Sequence, residues 1–223
     1  PVLYKVEYLG ITCGHMVLSS ELGSRAGRPA YHIVMTARNS KFFNKIYRVD
    51  GRIESWVDAA TLSTLSYESD ITEKGERKVR RYRIDGERGV LVAEKDGQVN
   101  ETPYRDGGLD PLAFIFRGRL LAGYPGTSFA QRLLTDKGAI DTVSTVVSAE
   151  NMGTPTGRRT LLQIRAATAD GELFSRRGEF AYWVDPGEER TLHVVDFKLG
   201  FGRLTAKYER PAEGHLDRRQ PAE

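Results

Sequence analysis

KFFNKIYRVDGRIESWVD, residues 41–58, is the stretch on which the reading of this fold turns. From Tyr47 onward it alternates. Tyr47, Val49, Ile53, Ser55 and Val57 share one parity; Arg48, Asp50, Arg52, Glu54 and Trp56 share the other. Residues two apart lie on one face of a strand, so the spacing predicts a strand with one dry and one wet side. Two features interrupt it. Asp50-Gly51 has the chemistry of either a tight hairpin turn or a bulge. Trp56 sets a large ring on the polar parity, either as edge packing or as part of a ligand-facing wall. Ahead of the strand, Asn39 and Ser40 are placed to cap a short turn or helical knuckle at residues 40–43.

The same pattern extends in both directions. Residues 3–9 and 11–19 read as an antiparallel pair around Gly10, and residues 29–38 as a third strand after a polar, Gly-containing loop at 21–28. Residues 65–73 and 78–85 form a predicted hairpin across Lys74-Gly75, and residues 89–94 and 98–104 another across Asp96-Gly97. Residues 109–122 change period. Leu112, Ile115, Phe116, Arg119 and Leu120 fall at helical spacing, with Asp110 as N-cap and Pro111 as first helical residue. Strands resume at 127–135, 139–151, 158–169, 178–184, 191–197 and 199–209. The expected fold is mainly β: a large curved antiparallel sheet, open barrel or sandwich, with one helix packed on or in it. Residues 1–210 read as a single β-rich domain and 211–223 as a flexible tail.

Composition narrows the function classes. The chain has 223 residues, 39% hydrophobic and 28% charged, with 33 basic against 30 acidic side chains for a net charge of +3. So slight an excess compels no nucleic-acid partner. Apolar runs fall far short of the ~18–20 residues of a spanning helix, so no transmembrane helix is expected. No leader pattern opens the chain, and Pro1 in place of an initiator Met reads as trimming or processing. A single cysteine, Cys13, excludes an internal disulfide and reads as a small buried apolar residue.

Catalytic constellations are not legible. His15, His32, His193 and His215 are widely separated, without the paired spacing of a metal site. No serine lies in a G-x-S-x-G turn, and no Gly-rich loop opens a helix. Asp50/Glu54 and Asp106/Asp110 are nearby acids, and solvated carboxylates are the ordinary case. No cofactor and no metal are expected. The densest charge run, KGERKVRRYR at 74–83, places Arg77, Lys78, Arg80, Arg81 and Arg83 on both faces of a strand. That suits an edge or protruding hairpin, where charge deters sheet-to-sheet aggregation. Its functional alternative is attraction to anionic head groups or acidic glycan, extended by Arg158-Arg159 and Arg176-Arg177.

The order of these segments resembles a bacterial envelope family, domain of unknown function 3108. The likeness is carried by TARNSKFFNKIYRVDGRIESWVDAATLSTLSYE at 36–68, where the family reads Y-V-D-x-I-x-S-x-V-D and then T-L-x-P-x-x-Y. Ser63-Thr64 stands where the family often has a proline-containing turn. The opening LYKVEYLGITCGHMVL is similar to Y-x-V-x-x-x-G-I-x-A-G, with Cys13 at a usually small position. Asp110-Pro111-Leu112 matches D-P-L-S, RRGEFAYWVD at 176–185 matches K-G-x-L-x-V-W-L-S-D, and residues 202–208 match the closing G-x-x-x-A-x-L strand. The resemblance spans residues 3–209. It implies a periplasmic or outer-membrane-associated protein whose sheet wraps a helix, like the open-barrel lipoprotein carriers.

The expected function is non-catalytic binding or carriage of a lipid or other apolar molecule. Tyr47, Val49, Ile53, Trp56, Phe116, Leu120 and Trp183 are the candidate wall, and the basic run 77–83 a candidate patch. The alternative is an interaction module for an envelope protein or anionic glycan. An enzyme acting on envelope glycan or lipid ranks third.

Overall fold

The computed structural model describes residues 1–40, 49–73, 75–168, 171–172, 179–199 and 202–212. In chain order the strands are β1 (Val2–Tyr8), β2 (Ile11–Arg25), β3 (Arg28–Asn39), β4 (Val49–Asp58), β5 (Thr64–Glu73), β6 (Glu76–Asp85), β7 (Val90–Lys95), β8 (Gln98–Pro103) and β9 (Gly108–Leu109). After helix α1 (Pro111–Leu121) come β10 (Ser128–Thr135), β11 (Gly138–Thr154), β12 (Gly157–Thr168), β13 (Gly171–Glu172), β14 (Glu179–Val184), β15 (Leu192–Leu199) and β16 (Gly202–Pro211).

All sixteen strands belong to one sheet. Its path runs β8-β7-β6-β5-β4-β3-β2-β1-β16-β15-β14-β12-β11-β10-β9, with β13 attached to β12. The first half of the chain therefore meanders outward from the centre, and the second half meanders back to pair β16 with β1. Consecutive hairpins need turns whose twist matches the strands. Ala26-Gly27 (φ 50° and 76°) and Asp96-Gly97 (φ 50° and 84°) each supply two left-handed residues in succession, the geometry of a type I′ turn.

The sheet curls until its two ends meet without forming a ladder, so the barrel is open. One residue latches the seam. Asp136, in the β10–β11 turn, accepts a 2.9 Å hydrogen bond from Tyr82 and lies 3.4 Å from Arg80 and 3.5 Å from Lys95. Its carbonyl accepts from Asn100 Nδ2 at 3.1 Å.

Helix α1 fills the interior. Leu112, Ala113 and Phe114 are buried in the main core beside Tyr4, Met16, Ile33, Val57, Ile164, Tyr182 and Val195. Burying a side chain of the size of Phe114 contributes about 1.5–3 kcal/mol. The helix starts where the residues dictate. Asp110 is fully buried, and its Oδ1 accepts the N–H groups of Leu112 and Ala113 at 2.8 and 3.1 Å. Pro111 fits the first turn because its missing N–H would have had no helical partner there. Gly118 is required by packing: a Cβ there would stand 2.1 Å from Tyr182 Oη.

Three local expectations are corrected. The loop expected at 21–28 is strand up to Arg25, followed by the turn at Ala26-Gly27. Ser20 to Arg25 is exposed throughout, so no burial pattern marked it; its ladder to β3 holds it. Asp50-Gly51 is neither turn nor bulge, since both residues continue the registers with Arg38-Ala37 and Thr72-Ile71. Gly51 makes room: a Cβ would lie 3.0 Å from Ile71 Cγ1. The irregularity on β4 falls instead between Trp56 and Val57. Finally, β6 is no edge, because β5 and β7 pair with it on both sides. The knuckle expected at 40–43 falls at 41–43 outside the described residues.

Candidate functional site

A cavity of about 450 Å³ lies between α1 and the inner faces of β1, β2, β3, β15 and β16. Strand alternation builds its walls. Val2, Tyr4 and Val6 face it from β1, Met16 and Leu18 from β2, and Ile33, Met35 and Ala37 from β3. Val195, Phe197, Leu204 and Ala206 close it from the last two strands. The helix contributes Pro111, Leu112, Ile115, Phe116 and Arg119, a stripe at the spacing of one helical face. The lining is overwhelmingly apolar, and the volume falls in the lower half of the ~300–1,000 Å³ range of small-molecule sites.

Tyr4 is the most buried aromatic of this wall, and its hydroxyl donates to the Leu192 carbonyl at 2.8 Å. Burial holds its phenol well above the ordinary range. Cys13 lines the cavity as a buried thiol that donates to the Val6 carbonyl at 3.4 Å, and burial pushes its pKa up. Neither group is poised for proton transfer.

Arg119 is the half-buried cation of the lining, whose other basic residues, His15 and Arg38, are exposed. It sits on the last turn of α1 with its guanidinium carbon 4.5 Å from the centre of the Phe116 ring. Its Nε is buried without a hydrogen-bond partner, and no carboxylate among the described residues pairs with it. Burial lowers its pKa, against the opposing influence of Tyr4, yet an arginine keeps its charge in any folded protein.

The residues expected to form the wall divide. Ile53 and Phe116 line the cavity. Trp56 lies on the opposite face of β4, stacked on His32 with centroids 4.2 Å apart and with the Arg25 guanidinium 5.3 Å from its ring. Leu120 is 41% exposed and off the cavity stripe. Trp183 belongs to a separate small cluster with Leu161, Ala181 and Val194, and its indole N–H donates to Glu150 at 3.2 Å. Val49 opens β4, and Tyr47 lies outside the described residues. Most of the lining comes from β1 to β3 and the closing strands. The signal that could have found it is the even parity of residues 2–6 and 14–18.

Four of the five basic residues of the run are paired with carboxylates where they stand. Arg77 pairs with Asp70 at 2.8 Å, Lys78 with Glu73 at 2.6 Å, and Arg81 with both Glu68 and Glu94 at 3.0 Å. Arg80 takes part in the Asp136 seam, and Arg83 stands exposed beside Glu101 and Ser66 in a groove of the outer face. The extension through Arg176-Arg177 lies outside the described residues.

Other polar groups serve the fold. Ser55 and Thr64 donate to Asp110 Oδ2 at 2.5 and 2.7 Å, and the Thr64 hydroxyl accepts the Asp110 N–H at 2.7 Å. This closed network anchors the helix and has no histidine. Against the pull of burial, hydrogen bonds from Arg52 and His32 hold the Glu54 carboxyl below its usual range. His193 is buried against Tyr208, and burial lowers its pKa. Among the described residues no three His, Cys, Asp or Glu side chains are grouped to hold a metal ion, and no helix is long and apolar enough to cross a membrane.

No curated protein matches the chain. A crystal structure of a β-barrel-like protein of domain of unknown function DUF1849 from Brucella abortus is similar in fold, with a TM-score of 0.59 at 12% identity over 94% of each chain. A family described as "Protein of unknown function (DUF3108)" matches residues 3–209. That match covers nearly the whole sequence, so the chain belongs to the DUF3108 family.

Proposed function

We propose that this protein binds or carries an apolar molecule in the cell envelope, holding it in the cavity between α1 and the sheet. One observation carries the reading: a cavity of about 450 Å³, walled by Val2, Val6, Met16, Leu18, Met35, Val195 and Phe197, beside the buried core that α1 forms with the sheet. A void of that size costs stability when it stays empty, because its lining forgoes both burial and dispersion contacts. An apolar guest recovers both. The role is binding, without a chemical step. The interaction-module alternative loses its main support, because Arg77, Lys78, Arg80 and Arg81 are each matched by a carboxylate of the same molecule.

The test is a titration with 1-N-phenylnaphthylamine, an apolar dye that fluoresces on leaving water. The wild-type protein saturates at one dye per chain. Ala37→Phe, which fills the cavity from β3, removes binding, whereas Val99→Phe on the exposed side of β8 leaves it unchanged. Equal binding by all three proteins would place the dye elsewhere and defeat the proposal.

A further inference from the structure

We infer that the guest is a single-chain anionic amphiphile, and that Arg119 binds its head group. The inference rests on the cavity being a ligand site and names what enters it. The argument begins with an imbalance. A guanidinium has five N–H donors in a rigid fork, shaped to take two oxygens of a carboxylate or phosphate. Buried arginines are ordinarily matched by such an anion, because desolvating the charge is costly. Arg119 is half-buried, and with the described residues it forms no hydrogen bond and no ion pair; its Nε is sealed from solvent and its guanidinium carbon stands 4.5 Å from the centre of the Phe116 ring. The cation–π contact with Phe116 and a place on the last helical turn leave the hydrogen-bonding fork of Arg119 unused. The helix C-terminus is served from elsewhere, since Arg190 donates to the Ala122 carbonyl at 2.8 Å.

Position supports the same conclusion. Arg119 is on the last turn of α1, beside Tyr4, whose hydroxyl is tied to Leu192. From Leu192 the lining runs along β15 through Val195 to Phe197, a span of about 17 Å at strand rise, with Leu204, Val6 and Cys13 beside it. The cation therefore stands near one end of a long apolar lining. A head group at Arg119 leaves the tail to follow Met16, Met35 and Ala37 toward Phe197. The volume sets the tail. At about 30 Å³ per water-sized group, it admits about fifteen such groups, which suits one acyl chain.

Four twelve-carbon probes, each displacing 1-N-phenylnaphthylamine, test this: laurate, dodecyl phosphate, 1-dodecanol and dodecyltrimethylammonium. The anions are expected to bind about 10- to 100-fold more tightly than dodecanol, the range of a charge-assisted hydrogen-bonded pair, and the cation most weakly. The two anions together distinguish a carboxylate from a phosphate head. Arg119→Met removes the preference for anions while keeping dodecanol binding, and Arg119→Lys restores part of it. The wild-type ranking stands as a test even if Arg119→Met does not fold. If dodecanol and laurate bind wild type equally, Arg119 is not a head-group site, although the cavity remains one. If neither the dye nor any probe binds, the cavity reading falls and this inference with it.

Discussion

Replacing Asp110 by alanine should be the most damaging single change away from the cavity lining. The carboxylate is fully buried and accepts four hydrogen bonds: two from the helix backbone, one from Ser55 and one from Thr64. Loss of an N-cap costs about 1 kcal/mol. Each hydroxyl bonded to a carboxylate adds about 1.5 kcal/mol at the lower end for charged partners. The sum is about 4 kcal/mol, a large share of the ~5–15 kcal/mol that holds a domain together. For a chain of this length that corresponds to a fall in Tm of about 8–16 °C. Thermal unfolding followed by circular dichroism reads it, with the exposed Asp106→Ala as control. A pH series adds a second arm. Burial pushes the Asp110 carboxyl above its usual range, although its hydrogen bonds pull the other way. The folded state therefore takes up the proton more readily than the unfolded one. Its stabilisation is full below the unfolded value of about 3.9 and is lost as pH rises through the folded one. Asp110→Asn, which cannot ionise, should gain on wild type as pH rises. A Tm for Asp110→Ala within about 3 °C of wild type would refute the idea that this network anchors the helix.

Three further outcomes are expected. Gly118→Ala should destabilise by about 1–3 kcal/mol through overpacking against Tyr182, and Tyr182→Phe should rescue much of it in the double variant; additive effects in urea melts would count against this packing. Asp136→Ala leaves the Tyr82 hydroxyl buried without an acceptor and should cost about 1–3 kcal/mol; unchanged hydrogen exchange in β8 would show that the seam does not depend on it. Glu7 is held below its usual pKa by Lys207 and then Lys5, so its stabilisation exists above about pH 4.3 and is lost as pH falls through the folded value. Glu7→Gln should accordingly cost about 1 kcal/mol at pH 7, limited by its half-exposed partners, and nothing at pH 2; a constant difference in chemical melts across that range would contradict the assignment.

The architecture was legible because one-sided burial writes itself into alternate residues. Ile53, Ser55 and Val57 face inward on β4, as their parity required, and Asp110-Pro111 marked the helix start to the residue. What escaped notice lacked that signature. The distal half of β2 is wet on both faces, so only its pairing with β3 defines it. Asp50-Gly51 read as a turn or a bulge because the reason for Gly51, Ile71, lies on a neighbouring strand. The basic run read as an edge or protruding hairpin because its acidic partners come from β5, β7 and the Asp136 turn.

The cavity was legible only in outline. Trp56 and Trp183 read as aromatics of the wall, yet parity and register put both on the outer face. Arg119 was visible as a helical residue. Its significance depends on an absence of partners among the described residues, which no linear pattern records.

The central claim, that the space beneath α1 holds a fatty chain, is tested most directly by photo-crosslinking. A twelve-carbon acid carrying a terminal diazirine is irradiated with the protein, and the adducts are mapped by mass spectrometry. Adducts on cavity-lining residues such as Met16, Met35, Ala37 and Phe197, competed away by laurate, are the predicted result. Adducts confined to the outer face around Trp56 or Trp183, or insensitive to laurate, would contradict it.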